Sequence, residues 1–218
     1  MLSKEKYYGV KDKMTASLSS KDKYTGPKGT FYGFIGPVID SPSLEKLKSS
    51  SEHIPVLEKH NLIVKDMSIL LARLIKDNQE APFGAYVLAV GSGDTGWNVM
   101  SPPAATDSQR ALYNEIERKT FATTQFIDDG GSQVAYPTNI VDFITTFTES
   151  EAVGPLVEMG LLGGNISTNL AIKNPVPAGT YDATVDLTAY ETMINYLTFP
   201  VINKPATASL TWVWRLTF

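Results

Sequence analysis

The chain has 218 residues, of which 43% are hydrophobic and 19% charged, and its formal net charge is −4. This composition predicts a globular protein with a packed core and excludes collagen, coiled coil and extensive disorder. The length suits one domain with an appendage, or two small domains. The absence of cysteine excludes disulfides, thiolate zinc sites and cysteine catalysis.

The charge is unevenly distributed along the sequence. Residues 1–48 carry nine lysines against five acidic residues, whereas residues 49–218 carry ten basic against eighteen acidic residues. The two parts could attract each other, the basic end could meet an acidic partner, or it could be a solvated terminus. We expect no membrane span and no dedicated nucleic-acid binding, because apolar runs are short and the chain is mildly acidic. No signal peptide is visible, so we expect synthesis in a cytosol.

Residues 1–60 differ from the rest in being rich in Lys, Ser, Gly and Tyr, with weak periodicity. Residues 30–35 resemble a short strand, and residues 42–49 a short helix with Ser41 as N-cap and Pro42 at its first position. We interpret 1–60 as an N-terminal arm or small lobe for assembly contacts, and 61–218 as the body.

The best long helix lies at residues 66–78, where apolar side chains recur at helical spacing and Asn78 can end the helix. This stripe is typical of a core-facing helix and consists of Met67, Leu70, Leu71, Leu74 and Ile75.

After residue 80 the hydrophobic period changes to two. The apolar run 85–90 predicts a strand that is covered on both faces. Thr106 and Gln109 form a capping-box pattern, which predicts a short helix carrying Leu112, Tyr113 and Ile116. Further strands are predicted at 117–127, 139–148, 155–162 and 192–202.

The strongest strand signal lies at residues 208–218. Its large apolar residues, including Trp212 and Trp214, alternate with smaller or polar ones, so that they share one face. We expect both tryptophans to face the core rather than a seam between subunits. Together these elements predict a mainly β fold, an antiparallel β-sandwich of six to eight strands with one or two packed helices and an extended N-terminal arm.

One segment matches a nucleotide-binding motif by its letters alone. Gly91, Gly93 and Gly96 give the spacing G-x-G-x-x-G after an apolar strand. The motif requires a helix to follow, and Pro102 and Pro103 are incompatible with a helix interior there. We therefore predict a glycine-rich loop and no dinucleotide site.

The remaining acidic candidates also have structural explanations. The segment 128–131, Asp-Asp-Gly-Gly, could offer oxygens to calcium, but a hairpin turn is favoured. Glu149, Glu151 and Glu158 could form the carboxylate pair of a glycosidase only if two of them faced each other across a cleft. We expect Glu158 to be hydrogen-bonded or exposed on a strand face.

The histidines and the basic segments also have explanations other than a functional site. His53 and His60 are seven residues apart, but Pro55 prevents a shared helix, so we predict surface histidines rather than a metal site. Lysines and tyrosines mix at 4–8 and 21–24, which could stack on nucleic acid or contact an assembly partner. We assign no catalytic, cofactor-binding or metal-binding residue, and no cofactor.

The order of motifs resembles a broad group of virion proteins of tailed bacteriophages, described as tail-fibre, tail-collar or baseplate-associated. The resemblance covers about residues 62–218. It is carried by the successive segments 89–93 (AVGSG), 102–107 (PPAATD), the spacing Leu112, Glu115, Arg118, then 157–162 (VEMGLL), 196–204 (YLTFPVINK) and 210–212 (LTW).

The resemblance implies a structural role without catalytic residues. We expect a tail, baseplate or fibre-anchoring subunit that contacts other virion proteins, forms a symmetric homo-oligomeric ring and resides in the virion after assembly in the host cytoplasm. One alternative is a neck, collar or head-decoration protein. Another is a receptor- or carbohydrate-binding module that uses Trp97 or loop tyrosines to stack on sugars.

Overall fold

A computed structural model describes residues 28–76, 83–164 and 191–218. The basic segments at 4–8 and 21–24, and the predicted helix end at Asn78, lie outside the described residues. Within the described ranges the chain forms ten strands and two helices. They are β1 (Lys28–Gly36), α1 (Leu44–Ser49), β2 (Ile54–Ile63), α2 (Lys65–Lys76), β3 (Phe83–Gly91), β4 (Glu115–Thr120), β5 (Thr123–Ile127), β6 (Gln133–Val134), β7 (Ile140–Phe147), β8 (Gly154–Gly164), β9 (Glu191–Lys204) and β10 (Ser209–Thr217).

All pairings between these strands are antiparallel, and their order is β4-β3-β8-β9-β2-β1-β10-β7-β5-β6. The sheet divides at β2, which pairs with β1 over most of its length but with β9 only at Leu62 and Ile63. Two layers therefore face each other. Layer A consists of β2, β1, β10, β7, β5 and β6, and layer B consists of β4, β3, β8 and β9. The last two residues of β2 join layer A to layer B. The predicted β-sandwich is confirmed, with ten described strands instead of six to eight.

The main core lies between the two layers. β10 contributes its alternating apolar face, and both Trp212 and Trp214 are fully buried with ring centroids 4.8 Å from that of Phe31. This placement confirms that the tryptophans face the core. Gly33, opposite Trp212 in the register, makes room for the indole, because a Cβ there would lie 2.1 Å from a ring carbon.

The outer face of layer A is covered by α1. Leu44 and Leu47 are buried against Phe34, Ile144 and Val213. The N-cap is Ser43, whose Oγ accepts a hydrogen bond from the Lys46 N–H, and the helix begins at Leu44. The predicted cap at Ser41 is therefore wrong by two residues.

One end of the sandwich is closed by α2. Met67 and Leu70 are buried in the main core, Leu71 is half-buried, and Leu74 is 37% exposed. The helix observed at Lys65–Lys76 confirms the prediction of a core-facing helix at 66–78. The side chain of Ile75 is outside the described residues.

The structure corrects two sequence-based boundaries and adds one strand. The predicted division at residue 60 falls inside β2, and β1 lies between β2 and β10, so residues 28–60 belong to the sheet. β2 was not predicted at all. The single strand expected at 117–127 is two strands, because β4 pairs with β3 in layer B and β5 pairs with β7 in layer A.

Candidate functional site

A long loop, residues 92–114, covers the outer face of layer B. Its backbone bonds to strand β9, where the Val201 N–H donates to the Val99 carbonyl at 2.8 Å. The hydroxyl of Thr198 donates to the carbonyl of Pro103 at 2.7 Å. These bonds hold the loop against the sheet over much of its length.

The centre of this contact is the carboxylate of Glu158, which is fully buried on β8. One oxygen accepts hydrogen bonds from the backbone N–H groups of Gly93 (3.1 Å) and Asn114 (2.9 Å). The other accepts from the N–H of Tyr113 (3.0 Å) and the hydroxyl of Tyr196 (2.7 Å). Glu158 thus joins both ends of the loop to the sheet.

The prediction that Glu158 is hydrogen-bonded is confirmed, and exposure on a strand face is ruled out. A buried carboxylate is costly unless it is well solvated by donors, and four donors supply that solvation here. Burial, followed by the charge of Glu158, raises the pKa of Tyr196 far above its ordinary value. The phenol therefore stays protonated and donates to the carboxylate.

The helix predicted after the capping box is absent, and the segment 106–114 forms turns. The side chain of Gln109 donates to the carbonyl of Ala111 at 2.6 Å, so it does not complete a capping box. The N–H groups of Tyr113 and Asn114 bond to Glu158, more than forty residues away in the sequence. The carboxylate of Glu158 thus accepts the hydrogen bonds that backbone carbonyls of the predicted helix would otherwise accept.

The glycine-rich segment is a loop, as predicted, and no helix follows it between residues 92 and 114. Gly93 has φ +69°, and its N–H is already bonded to Glu158. The indole of Trp97 packs on Gly93 and meets the ring of Tyr113 edge-on at 4.7 Å. Trp97 is therefore half-buried, whereas Tyr113 is 57% exposed.

A second buried cluster lies beside this loop. Arg118 on β4 makes paired hydrogen bonds with the carboxylates of Glu115 and Glu191. Burial opposes the positive charge, but these bonds raise the pKa of Arg118 above its ordinary value. A cavity of about 270 Å³ adjoins both glutamates and the loop residues 111–114. Both carboxylates are engaged by the guanidinium, which is typical of a structural ion pair.

The other predicted acids lie apart from Glu158, at the turn between β7 and β8. Glu149 is exposed, and Glu151 accepts hydrogen bonds from Lys119 (2.6 Å) and from the Thr148 N–H (2.8 Å). The buried ammonium of Lys204 donates to the Thr148 and Glu149 carbonyls. The three glutamates therefore do not form a pair across a cleft.

The two histidines also lie apart. His60 is exposed on β2 as predicted, with its Nδ1 3.1 Å from the hydroxyl of Thr30. His53 is only 5% exposed, because its ring nitrogens bond to the Pro37 carbonyl and the Ser50 hydroxyl. The prediction of a surface histidine is wrong for His53, which ties the ends of β1 and α1 together.

The Asp128 segment is the predicted hairpin turn between β5 and β6. The Asp128 side chain accepts a hydrogen bond from the Ser132 N–H at 2.8 Å, and Gly131 has a positive φ of 91°. Within the described ranges, no group of three or more His, Cys, Asp or Glu side chains is arranged to hold a metal ion. The helices in those ranges are too short or too polar to cross a membrane.

Sequence reasoning missed two features of these surfaces. Tyr196 and Glu191 lie in a strand that was recognised, but nothing local marks their long-range partners. A groove of about 550 Å³ between α1 and β2 was also missed, because β2 itself was missed. It forms where the six-residue α1 leaves the outer face of β2 open.

Neither a protein-family model nor a curated protein matches this sequence. The resemblance in motif order therefore remains a prediction.

Proposed function

We propose that this chain is a structural subunit of a tailed-bacteriophage virion, acting through protein–protein contacts in the tail, baseplate or fibre-anchoring region. The motif order along residues 62–218 carries the proposal. In the fold, several of these motif residues hold the loop 92–114 to the sheet, including Gly93, Pro103 and Glu158. The motifs are thus accounted for as architecture, which suits a subunit without catalytic residues.

The distribution of exposed apolar side chains supports a contact role. Five large apolar side chains are exposed at the end of the sandwich where β1 and β9 end and β2 and β8 begin. They are Val38 (55% exposed), Ile54 (64%), Val99 (41%), Met100 (66%) and Val153 (42%). Large apolar side chains left exposed at one end of a domain are typical of protein contact sites when they form a contiguous patch.

In this proposal, residues 1–27 are an attachment segment that binds neighbouring subunits. They hold six lysines against three acidic residues, while the rest of the chain is acidic. The arm predicted at 1–60 is thereby reduced to 1–27, since β1 and β2 lie within the sheet. The partners would be other virion proteins and further copies of this chain in a ring.

The first test is quantitative mass spectrometry of purified virions from the source phage. We expect a few to a few tens of copies relative to the major capsid protein. Hundreds of copies would favour the alternative of a head-decoration protein, and absence from the particle would overturn the structural role.

A truncation tests the attachment segment. Removing residues 1–27 should leave a folded chain that fails to join particles. Removing residues 1–50 is the matched destructive control, because it deletes β1 and α1 and should unfold the chain. Normal assembly of the 1–27 deletion would contradict the proposed role of that segment.

A receptor- or carbohydrate-binding module remains the second candidate. The observation in its favour is the exposed ring of Tyr113, held edge-on by Trp97 beside the cavity at Glu115. An exposed aromatic ring offers an apolar face on which a sugar ring could stack. A glycan array without signal, or a Tyr113→Ala variant with unchanged adsorption, would count against this candidate.

A further inference from the structure

A groove between α1 and β2, the α1–β2 groove, has an apolar floor and a polar rim. Its floor comprises Phe34, Leu47 and Val56, and its rim Tyr32, Lys48 and Glu58. Its volume of about 550 Å³ is within the range of about 300–1,000 Å³ that is usual for ligand sites.

The groove follows from the way α1 and β2 are built. α1 is six residues long and packs over β1, β7 and β10, and its Leu47 and Lys48 line the groove beside β2. The register of β2 against β1 shifts at Gly33 and Phe34, which leaves Val56 as an extra residue in β2. The groove continues toward Ile54, which is 64% exposed.

The rim offers both a donor and an acceptor to an occupant. Within the described ranges, neither the hydroxyl of Tyr32 nor the carboxylate of Glu58 has a hydrogen-bond partner. The ammonium of Lys48 lies 4.3 Å from the centre of the Tyr32 ring and makes no ion pair there. An occupant with apolar side chains, backbone amides and a positive charge for Glu58 would satisfy floor and rim together.

Residues 1–27 have this chemistry. They contain six lysines, three tyrosines and several aliphatic side chains, with only three acidic residues. Fully extended, 27 residues span about 90 Å at about 3.3 Å per residue, so length does not limit their reach.

The direction of β1 favours the groove of a second copy over the chain's own groove. β1 runs from Lys28, paired with Thr217, toward Gly36, and the groove is lined by its middle residues. Lys28 therefore lies at the sandwich end opposite Gly36. From that end, residues 1–27 would have to reverse direction to lie in the groove of their own chain, whereas no reversal is needed to reach a neighbour.

We propose that the α1–β2 groove receives residues 1–27 of a second copy of the chain. This contact is heterologous, since one surface of each copy meets a different surface of the next, and such contacts give a ring when the rotation between copies closes and a filament when it does not. This inference rests on the proposed function, in which residues 1–27 are the attachment segment. It adds the surface to which that segment binds.

The test is photo-crosslinking in a mixture of isotopically light and heavy full-length chains. A photo-crosslinking amino acid replaces Lys48 at the rim, and in the control it replaces Thr124, exposed on β5 four strands away from β2. We expect mixed-isotope links from position 48 to peptides within 1–27 and none from position 124. Links in same-isotope pairs only, or no link to residues 1–27, would overturn the proposal.

A charge reversal gives a second readout. Glu58→Lys should weaken self-association about two- to fivefold in sedimentation experiments, as expected for the loss of an exposed ion pair. Asp129→Lys makes the same charge change in the β5–β6 turn and should have no effect. An equal effect of both variants, or none from Glu58→Lys, would contradict the groove as the binding surface.

The groove proposal and the proposed function can each fail without the other. If the chain is counted in virions but position 48 does not link to residues 1–27, the groove inference fails and the structural role stands. If the links form but virions lack the chain, the structural role fails and the contact stands.

Discussion

The two outer faces of the sandwich are covered in different ways. Layer A is covered by α1, whose Leu44 and Leu47 form an apolar cluster with side chains of the sheet. Layer B is covered by the loop 92–114, which Glu158 holds through hydrogen bonds to backbone groups at both ends of the loop.

The two covers should lose stability in different ways. Apolar burial is non-directional and roughly proportional to area, so a smaller side chain weakens it gradually. A buried carboxylate with four donors depends on one group, and removing it leaves every donor unpaired at once. Layer B should therefore be the more sensitive to a single substitution. Three predictions test this comparison, and a fourth concerns an ion pair outside both covers.

The largest effect is expected from Glu158→Ala. It leaves three backbone N–H groups and the Tyr196 hydroxyl without their acceptor, and we expect a loss of about 4 kcal/mol of unfolding free energy. Urea denaturation measures the loss, and hydrogen exchange of the Gly93 and Asn114 amides should accelerate. Tyr196→Phe is the graded control, since it removes one donor and should cost about 1 kcal/mol. Unchanged exchange at Asn114 in Glu158→Ala would show that the carboxylate does not hold the loop.

Leu47→Ala tests the apolar cover of layer A. Leu47 is fully buried, and truncating such a side chain typically costs about 2–5 kcal/mol, with the lower part of that range expected for a short peripheral helix. Hydrogen exchange should rise in α1 and stay unchanged in the loop 92–114. Leu47→Met, which conserves volume, should cost less than about 1.5 kcal/mol. Faster exchange in the loop as well would mean that the two covers are coupled.

A smaller effect on the same helix is expected from Ser43→Ala. The hydroxyl accepts a hydrogen bond from the Lys46 N–H at 3.3 Å, and loss of an N-cap costs about 1 kcal/mol. Ser43→Asp, which can still cap, is the control for urea denaturation. Equal losses in both variants would indicate that capping does not stabilise α1.

The smallest effect concerns the pair of Lys119 and Glu151 beside the β7–β8 turn. Burial would raise the pKa of Glu151, but hydrogen bonds from Lys119 and Thr148 lower it below its ordinary value. A lowered carboxyl pKa adds stability above the unfolded pKa of about 4.3, and that stability is lost as the pH falls further. Lys119→Ala should cost at most about 1 kcal/mol at neutral pH.

The pH dependence provides the check on that pair. The difference between Lys119→Ala and the parent chain should shrink as the pH falls through the lowered pKa of Glu151, whereas Lys119→Arg should behave like the parent. A difference that is constant between pH 7 and pH 3 would contradict a role for the ion pair.

Local pattern alone determined much of the fold. The alternation in 208–218, the apolar run at 85–90 and the helical stripe at 66–78 each predicted an element that is present. Turn chemistry also predicted the hairpin at Asp128. These features were predictable because hydrophobic period and turn preference act over a few residues and agree with the final burial.

Tertiary structure decided what depends on distant partners. The capping-box segment does not become a helix, because Glu158 takes the N–H groups of Tyr113 and Asn114. β2 has mostly exposed side chains in its first half and a bulge, so it lacks the alternation that marks a strand. His53 is buried by bonds to Pro37 and Ser50 that no spacing rule reveals. The sequence alone determined most of the strands and the core-facing helix, because their hydrophobic pattern is local, whereas long-range hydrogen bonds and register decided β2, the covering loop and the α1–β2 groove.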